Sequence, residues 1–252
     1  MKNSKNEKRR PFRQTVGVFF LLLLFLAAGF LTVYLSEKRA GTASAPAGAG
    51  GAYPTVILDA GHGGEDGGAV GVNRVLEKDL NLAVTLRLAD LLRAAGVPVL
   101  LTRTEDRMLY GDGENIKGRK KEFDLKNRLR VAKEHPDAIF ISIHMNNFPQ
   151  AKYNGLQVYY AGHTAGSMAL AEAIQQTVVS SLQPENRREV KEATSAIYLL
   201  DGAVGRAVLV ECGFLSNPEE CARLCEKDYQ NRLCFSLFCG IMGYINKTGA
   251  EA

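Results

Sequence analysis

No segment of this sequence repeats, so the chain is not built from stacked or radially arranged units. No disulfide framework is evident either: the five cysteines, Cys212, Cys221, Cys225, Cys234 and Cys239, all fall in the last 41 residues, and an odd number leaves at least one unpaired in a monomer. Net charge is nearly absent outside one short stretch. Residues 1–14 hold Lys2, Lys5, Lys8, Arg9, Arg10 and Arg13 against Glu7, a local +5, so a whole-chain charge of +4 leaves 4 − 5 = −1 on the remainder. The basicity is a flank and not a face for nucleic acid. Disorder is excluded as well, because 46% of the residues are hydrophobic and 23% charged, the proportions of a globular fold. Histidine is scarce, with four in 252 residues, so the place of each one carries weight.

What is present begins with an apolar run. Thr15 to Leu35 is 21 residues without a charge, about the length (roughly 20 residues) that crosses a bilayer as a helix. A buried core helix is the alternative, but six cations directly before the run and apolar character on every face favour the membrane. Positive charge stays cytoplasmic, so the rest of the chain is expected to be extracytoplasmic. A secretory signal usually has a shorter apolar region, about 7–15 residues, and the run therefore reads as an uncleaved signal-anchor. The small residues from Gly41 onward keep cleavage and secretion as the alternative. Residues 36–52, with GTASAPAGAGGA, read as a flexible linker. A single folded domain with a real core is expected over 53–246, followed by a tail at 247–252.

Within that domain short β-rich runs alternate with helical periodicity, the pattern of an α/β fold. The expected strands are VIL (56–58), VPVLLT (97–102), AIFISIH (138–144), GLQVYY (155–160), AIYLL (196–200) and AVLVE (207–211). Between Asp79 and Ala95, Leu80, Val84, Leu88, Leu91 and Ala95 form one helical stripe, and Gly96 is placed to end it. Further helices are expected at 123–133, 165–182, 218–226 and 228–245. The result is a sheet of about six strands, mostly parallel or mixed, with helices on both faces and ligands at the carboxyl ends of the strands.

Four ionisable residues collect at those ends. His62 follows the first strand inside DAGHGGEDGG, Glu77 precedes the first long helix, His144 closes ISIH and Glu211 closes AVLVE. Two imidazoles and a carboxylate are a common zinc set, and three protein ligands leave a fourth position open for chemistry. Each residue also has a plainer reading. A histidine after a strand is often just a satisfied polar group, and Glu77 could be an acid at a helix N-terminus. Glu211 is harder to dismiss, since a carboxylate after four apolar strand residues is costly to bury without a partner. His135, before Pro136, reads as a helix end, while His163 in AGHTAGS competes as a ligand. Cys221 and Cys225 are spaced i, i+4 on a helix, which suits a metal or plain packing. Cys212 should face away from Glu211 by strand alternation.

DAGHGGEDGGAVG, EKDLNLAV, TRTED, SIHMN and VECGFLSNPEE, in that order across about residues 54–245, resemble the zinc-dependent N-acetylmuramoyl-L-alanine amidases of the Amidase_3 type. The resemblance implies that His62, Glu77 and His144 hold Zn2+, that Glu211 is the catalytic base, and that His163 is not used. It implies hydrolysis of the amide between the muramic acid lactyl group and L-alanine in peptidoglycan. Asp59 and Asn146 become candidates for orienting the ligands or binding substrate. Arg103, Lys120, Lys121 and Arg128 become candidates for meeting the glycan's carboxylates, with solvated surface as the plain alternative. KGRKKEFDLKNRL, HMNNFPQAKYNGLQVYY and NRREVKEA are similar to the germination-specific amidases of endospore formers, which implies a role in making muramic δ-lactam in spore cortex. General wall turnover, a stem-peptide carboxypeptidase and a wall-binding protein with a decayed site are the competing readings. Whether a protein partner activates the enzyme is left open by the sequence.

Overall fold

The computed structural model describes residues 53–249; the basic flank, transmembrane helix and linker expected over 1–52 lie outside the described residues. Among the described residues no helix is long and apolar enough to cross a membrane. In chain order the elements are β1 (Val56–Ala60), α1 (Glu77–Ala94), β2 (Val99–Leu101), α2 (Lys120–Glu134), β3 (Ile139–Asn146), β4 (Gln157–Tyr160), α3 (Ser167–Ser181), β5 (Lys191–Glu192), α4 (Tyr198–Asp201), β6 (Ala207–Phe214), α5 (Pro218–Cys225) and α6 (Lys227–Gly249). The six strands form one mixed sheet in the order β2-β1-β3-β6-β4-β5. Strands β2, β1, β3 and β6 run parallel, while β4 is antiparallel to β6 and parallel to β5.

Alternation along the strands builds two unequal layers. Val56 and Leu58, Ile139 to Met145 at every second residue, Val158, and Val208, Val210 and Cys212 face a large core closed by α1, α3, α5 and α6. Ile57, Phe140, Ala207 and Leu209 face a smaller core closed by α2 and α4. On that smaller face β3 continues past buried Phe140 and Ser142 to half-buried His144, and β6 continues past Leu209 to half-buried Glu211. The thinner layer is therefore the one that opens at the carboxyl ends.

One expected strand is a helix. The last three residues of AIYLL begin α4, and the sixth strand is the exposed pair Lys191–Glu192, which bonds to the edge of β4. A short apolar run does not by itself distinguish strand from helix, and here Leu199 and Leu200 are buried in the smaller core instead of joining the sheet. The stripe on α1 also shifts: Leu80, Val84, Leu88 and Leu92 are the buried set, with Leu91 half-buried. Gly96 ends the turn as expected, at φ +83° in the left-handed region.

Candidate metal centre

The site is assembled from two strand ends, a glycine-rich loop and a helix start. His62 lies two residues beyond β1, His144 is two residues before the end of β3, and Glu77 is the first residue of α1. One ligand atom from each lies within 4.8 Å of the others. His62 Nε2 is 3.2 Å from Glu77 Oε2 and His144 Nδ1 is 2.9 Å from Glu77 Oε1. The donor set fits a metal, because a cation can stand where an imidazole and a carboxylate now share a proton.

Each ligand candidate is held from behind. Asp66 Oδ2 accepts from His62 Nδ1 at 2.9 Å, so Nε2 is the nitrogen turned to Glu77. Glu77 also accepts from the amides of Ala69 (2.8 Å) and Met145 (3.2 Å) and from Asn81 Nδ2 (3.3 Å), which reaches on to the Gly61 carbonyl at 3.1 Å. Two glycines are required by space. A Cβ on Gly61 would overlap the His144 ring, and one on Gly68, at φ +67°, would stand 2.6 Å from Glu77 Oε2. Burial alone would depress the His62 imidazole, but hydrogen bonds to Asp66 and Glu77, with their charges, raise it to about 9. Burial acts against ionised Glu77 too, yet bonds from His144 and His62 hold it far below the usual carboxylate range.

Glu211 stands directly across from His144 in the parallel register of β3 and β6. Its Oε2 is buried and has no hydrogen-bond partner among the described residues. A carboxylate oxygen so placed lacks the compensation that burial ordinarily demands. Burial pushes Glu211 up to about 7, with His144 opposing the shift and Glu77 adding to it. Cys212, next in the strand, points the other way into the large core, where burial drives its thiol well above the ordinary range.

The remaining candidates scatter. Asp59 is fully buried and accepts from Thr102, Ser142 and Arg128, so it braces strands and does not touch a ligand candidate. Asn146 ends β3 half-buried, two residues from His144. Arg103 and Arg128 are not surface cations: both are buried and bonded to backbone carbonyls of the His62 loop. Lys120 and Lys121 instead pair with Glu65 and Asp66 and line a cavity of about 630 Å³ beside the loop. His163 Nε2 meets the Ala203 carbonyl, and His135 caps the end of α2. Asp66 and Asn81 escaped the sequence reading. Asn81 had a signal, a polar residue on the buried stripe one turn after Glu77; Asp66 had only its spacing of four from His62.

A family model described as N-acetylmuramoyl-L-alanine amidase matches residues 56–242. The germination-specific N-acetylmuramoyl-L-alanine amidase of Bacillus subtilis is 37% identical over 194 residues, covering 77% of this chain and 81% of that protein. Among solved structures, the CwlD amidase of Clostridioides difficile, in complex with the GerS lipoprotein, aligns with a TM-score of 0.73 at 40% identity, over 77% of this chain and 99% of that one. The amidase AmiC2 of Nostoc punctiforme aligns with a TM-score of 0.65 at 31% identity, over 78% and 99% of the two chains.

Proposed function

We infer what this chain does from one premise: it belongs to the Amidase_3 family, the N-acetylmuramoyl-L-alanine amidases. It is therefore an amidase of peptidoglycan. The bond assigned to it is the amide joining the muramic acid lactyl group to the L-alanine of the stem peptide. Zinc is the metal assigned to His62, Glu77 and His144, since two imidazoles and one carboxylate leave a position open. When bound, it supplies an electrophile that acidifies water and polarises the lactyl carbonyl.

The chain's own chemistry then rests on Glu211. Its carboxylate accepts a proton from the water that attacks the lactyl carbon, and passes that proton to the alanine nitrogen as the C–N bond breaks. An amine leaves poorly unless it is protonated, so one group serves as base and then as acid. The observation that carries this role is the buried, unpartnered Oε2 across the ladder from His144. Glu77, bonded through both of its oxygens, has no such free position. Glu211→Gln keeps the shape and removes the base, so it should bind zinc as tightly as the wild type. It should release L-alanine-terminated peptides from purified peptidoglycan about 10²–10⁴ times more slowly. Undiminished hydrolysis by the zinc-loaded variant would reject the assignment.

Likeness to the germination-specific amidase supports the narrower reading that the substrate is spore cortex, where the product would feed formation of muramic δ-lactam. Cortex from spores lacking this protein should then lack the lactam; a normal content would assign the enzyme to general wall turnover. The 21-residue apolar run behind the basic flank supports anchoring to the outer side of the cell or forespore membrane. Because the similar CwlD amidase was solved with the GerS lipoprotein, a lipoprotein is the class of partner proposed here.

A further inference from the structure

We propose that Arg103 and Arg128 are positioning residues for the metal centre: together they clamp three consecutive carbonyls, Ala60, Gly61 and His62, and so aim the His62 imidazole at Glu77 and His144. The proposal rests on the reading of His62 as a metal ligand.

The loop needs such a clamp. His62 sits at φ +60°, where a residue with a side chain is strained, and Gly61, Gly63 and Gly64 around it place little restriction on the backbone. Left to itself, GHGG would sample many shapes, and few of them would present His62 to the other two ligands. The two guanidinium groups remove that freedom. Arg103 Nε donates to the Ala60 carbonyl at 2.9 Å and its Nη2 to the Gly61 carbonyl at 3.1 Å. Arg128 Nη1 donates to the Ala60 carbonyl at 2.7 Å and its Nη2 to the His62 carbonyl at 2.6 Å.

Both clamps are themselves fixed. Arg128 is gripped by Asp59 of β1 at 2.6 Å and by Asp124, one turn earlier on α2, at 2.8 Å. Arg103 Nη2 also donates to the Lys78 carbonyl at 2.8 Å, in the turn of α1 that begins with Glu77. Arg103 thus ties the loop that carries one ligand to the helix that carries another. Each side chain is only 1% exposed, so neither meets substrate. Burying a guanidinium is expensive, and packed apolar residues would commonly serve stability as well or better. What apolar residues cannot supply is a planar fork of donors matched to successive carbonyls, and the single ammonium of a lysine cannot supply it either.

The test is zinc titration of the full-length chain in detergent, stripped of metal, against a competing chelator, with urea unfolding of the stripped protein alongside. Arg103→Lys and Arg128→Lys should each weaken zinc binding about 10–100-fold, as loss of groups that orient metal ligands does. Saturating zinc should restore most of kcat. Arg128→Lys could unfold the protein by leaving Asp59 and Asp124 poorly paired. Arg103, which among the described residues forms no ion pair with a buried carboxylate, then decides the matter. Zinc affinity equal to wild type, with only the urea midpoint lowered, would make the arginines merely structural and overturn the proposal. His62→Ala separates the two levels of inference. If it binds zinc like the wild type, the ligand assignment fails and the clamp with it; if it loses zinc while the arginine variants keep it, only the clamp fails.

Discussion

His62 lies between two carboxylates, with Nδ1 on Asp66 and Nε2 on Glu77, and that sandwich keeps it protonated up to about pH 9. A metal taking the Nε2 position must displace a proton, so zinc affinity should rise about tenfold per pH unit through neutrality and level off near pH 9. The sign for stability runs the opposite way. A folded pKa raised above the ordinary 6.5 stabilises the metal-stripped protein fully below about pH 6.5, and that contribution is lost as pH rises through about 9. Chelator-competition titrations and urea unfolding of stripped protein between pH 6 and 10 check both slopes. Asp66→Asn, by removing one of the two charges, should flatten them. Slopes that do not change in that variant would mean Asp66 does not control the imidazole.

Between elements, the closing motif VECGFLSNPEE shows how much one buried acid can join. Glu220 of α5 is 1% exposed and receives the Phe214 amide at 2.7 Å, ending β6, and the Gly155 amide at 2.9 Å, just before β4. Asn217 caps the same helix through the amides of Glu219 and Glu220. Glu220→Gln presents an NH2 to one of the two amides and leaves it unpaired, so stability should fall by about 1–3 kcal/mol. A urea midpoint unchanged from wild type would show that the acid is not holding the strands. This part of the fold also marks what could be read in advance. Strand ends carrying His144 and Glu211 were legible because AIFISI, apolar but for Ser142, runs up to the first and AVLV up to the second, and period-two alternation sent Cys212 away from Glu211. The Arg128 contact was not legible: it joins residues 66 apart, and an Asp124–Arg128 pair at i, i+4 looks in sequence like a solvated helix face. AIYLL misled for a different reason, because hydrophobicity reports burial and not which core does the burying.

At the scale of the molecule, the two faces of the sheet divide the labour. Four helices close the large core, while α2 and α4 close the small one and leave the carboxyl ends of β3 and β6 within reach of solvent. Every side chain described at the metal centre lies between Asp59 and Glu220, with its supports in the same unit. Zinc binding and hydrolysis should therefore not depend on residues 1–52. On the anchoring proposed above, those residues should instead set location, because a 21-residue apolar run has about the length of a bilayer-crossing helix and follows a +5 flank. The full chain should sediment with membranes, resist salt and alkaline washes, and be released by detergent. A chain starting at Tyr53 should remain in the supernatant with unchanged zinc affinity and amidase activity. Protein found in the medium with its N-terminus between Gly41 and Ala52 would show instead that the run is a cleaved signal, and loss of zinc binding on truncation would show that the N-terminal residues support the site itself.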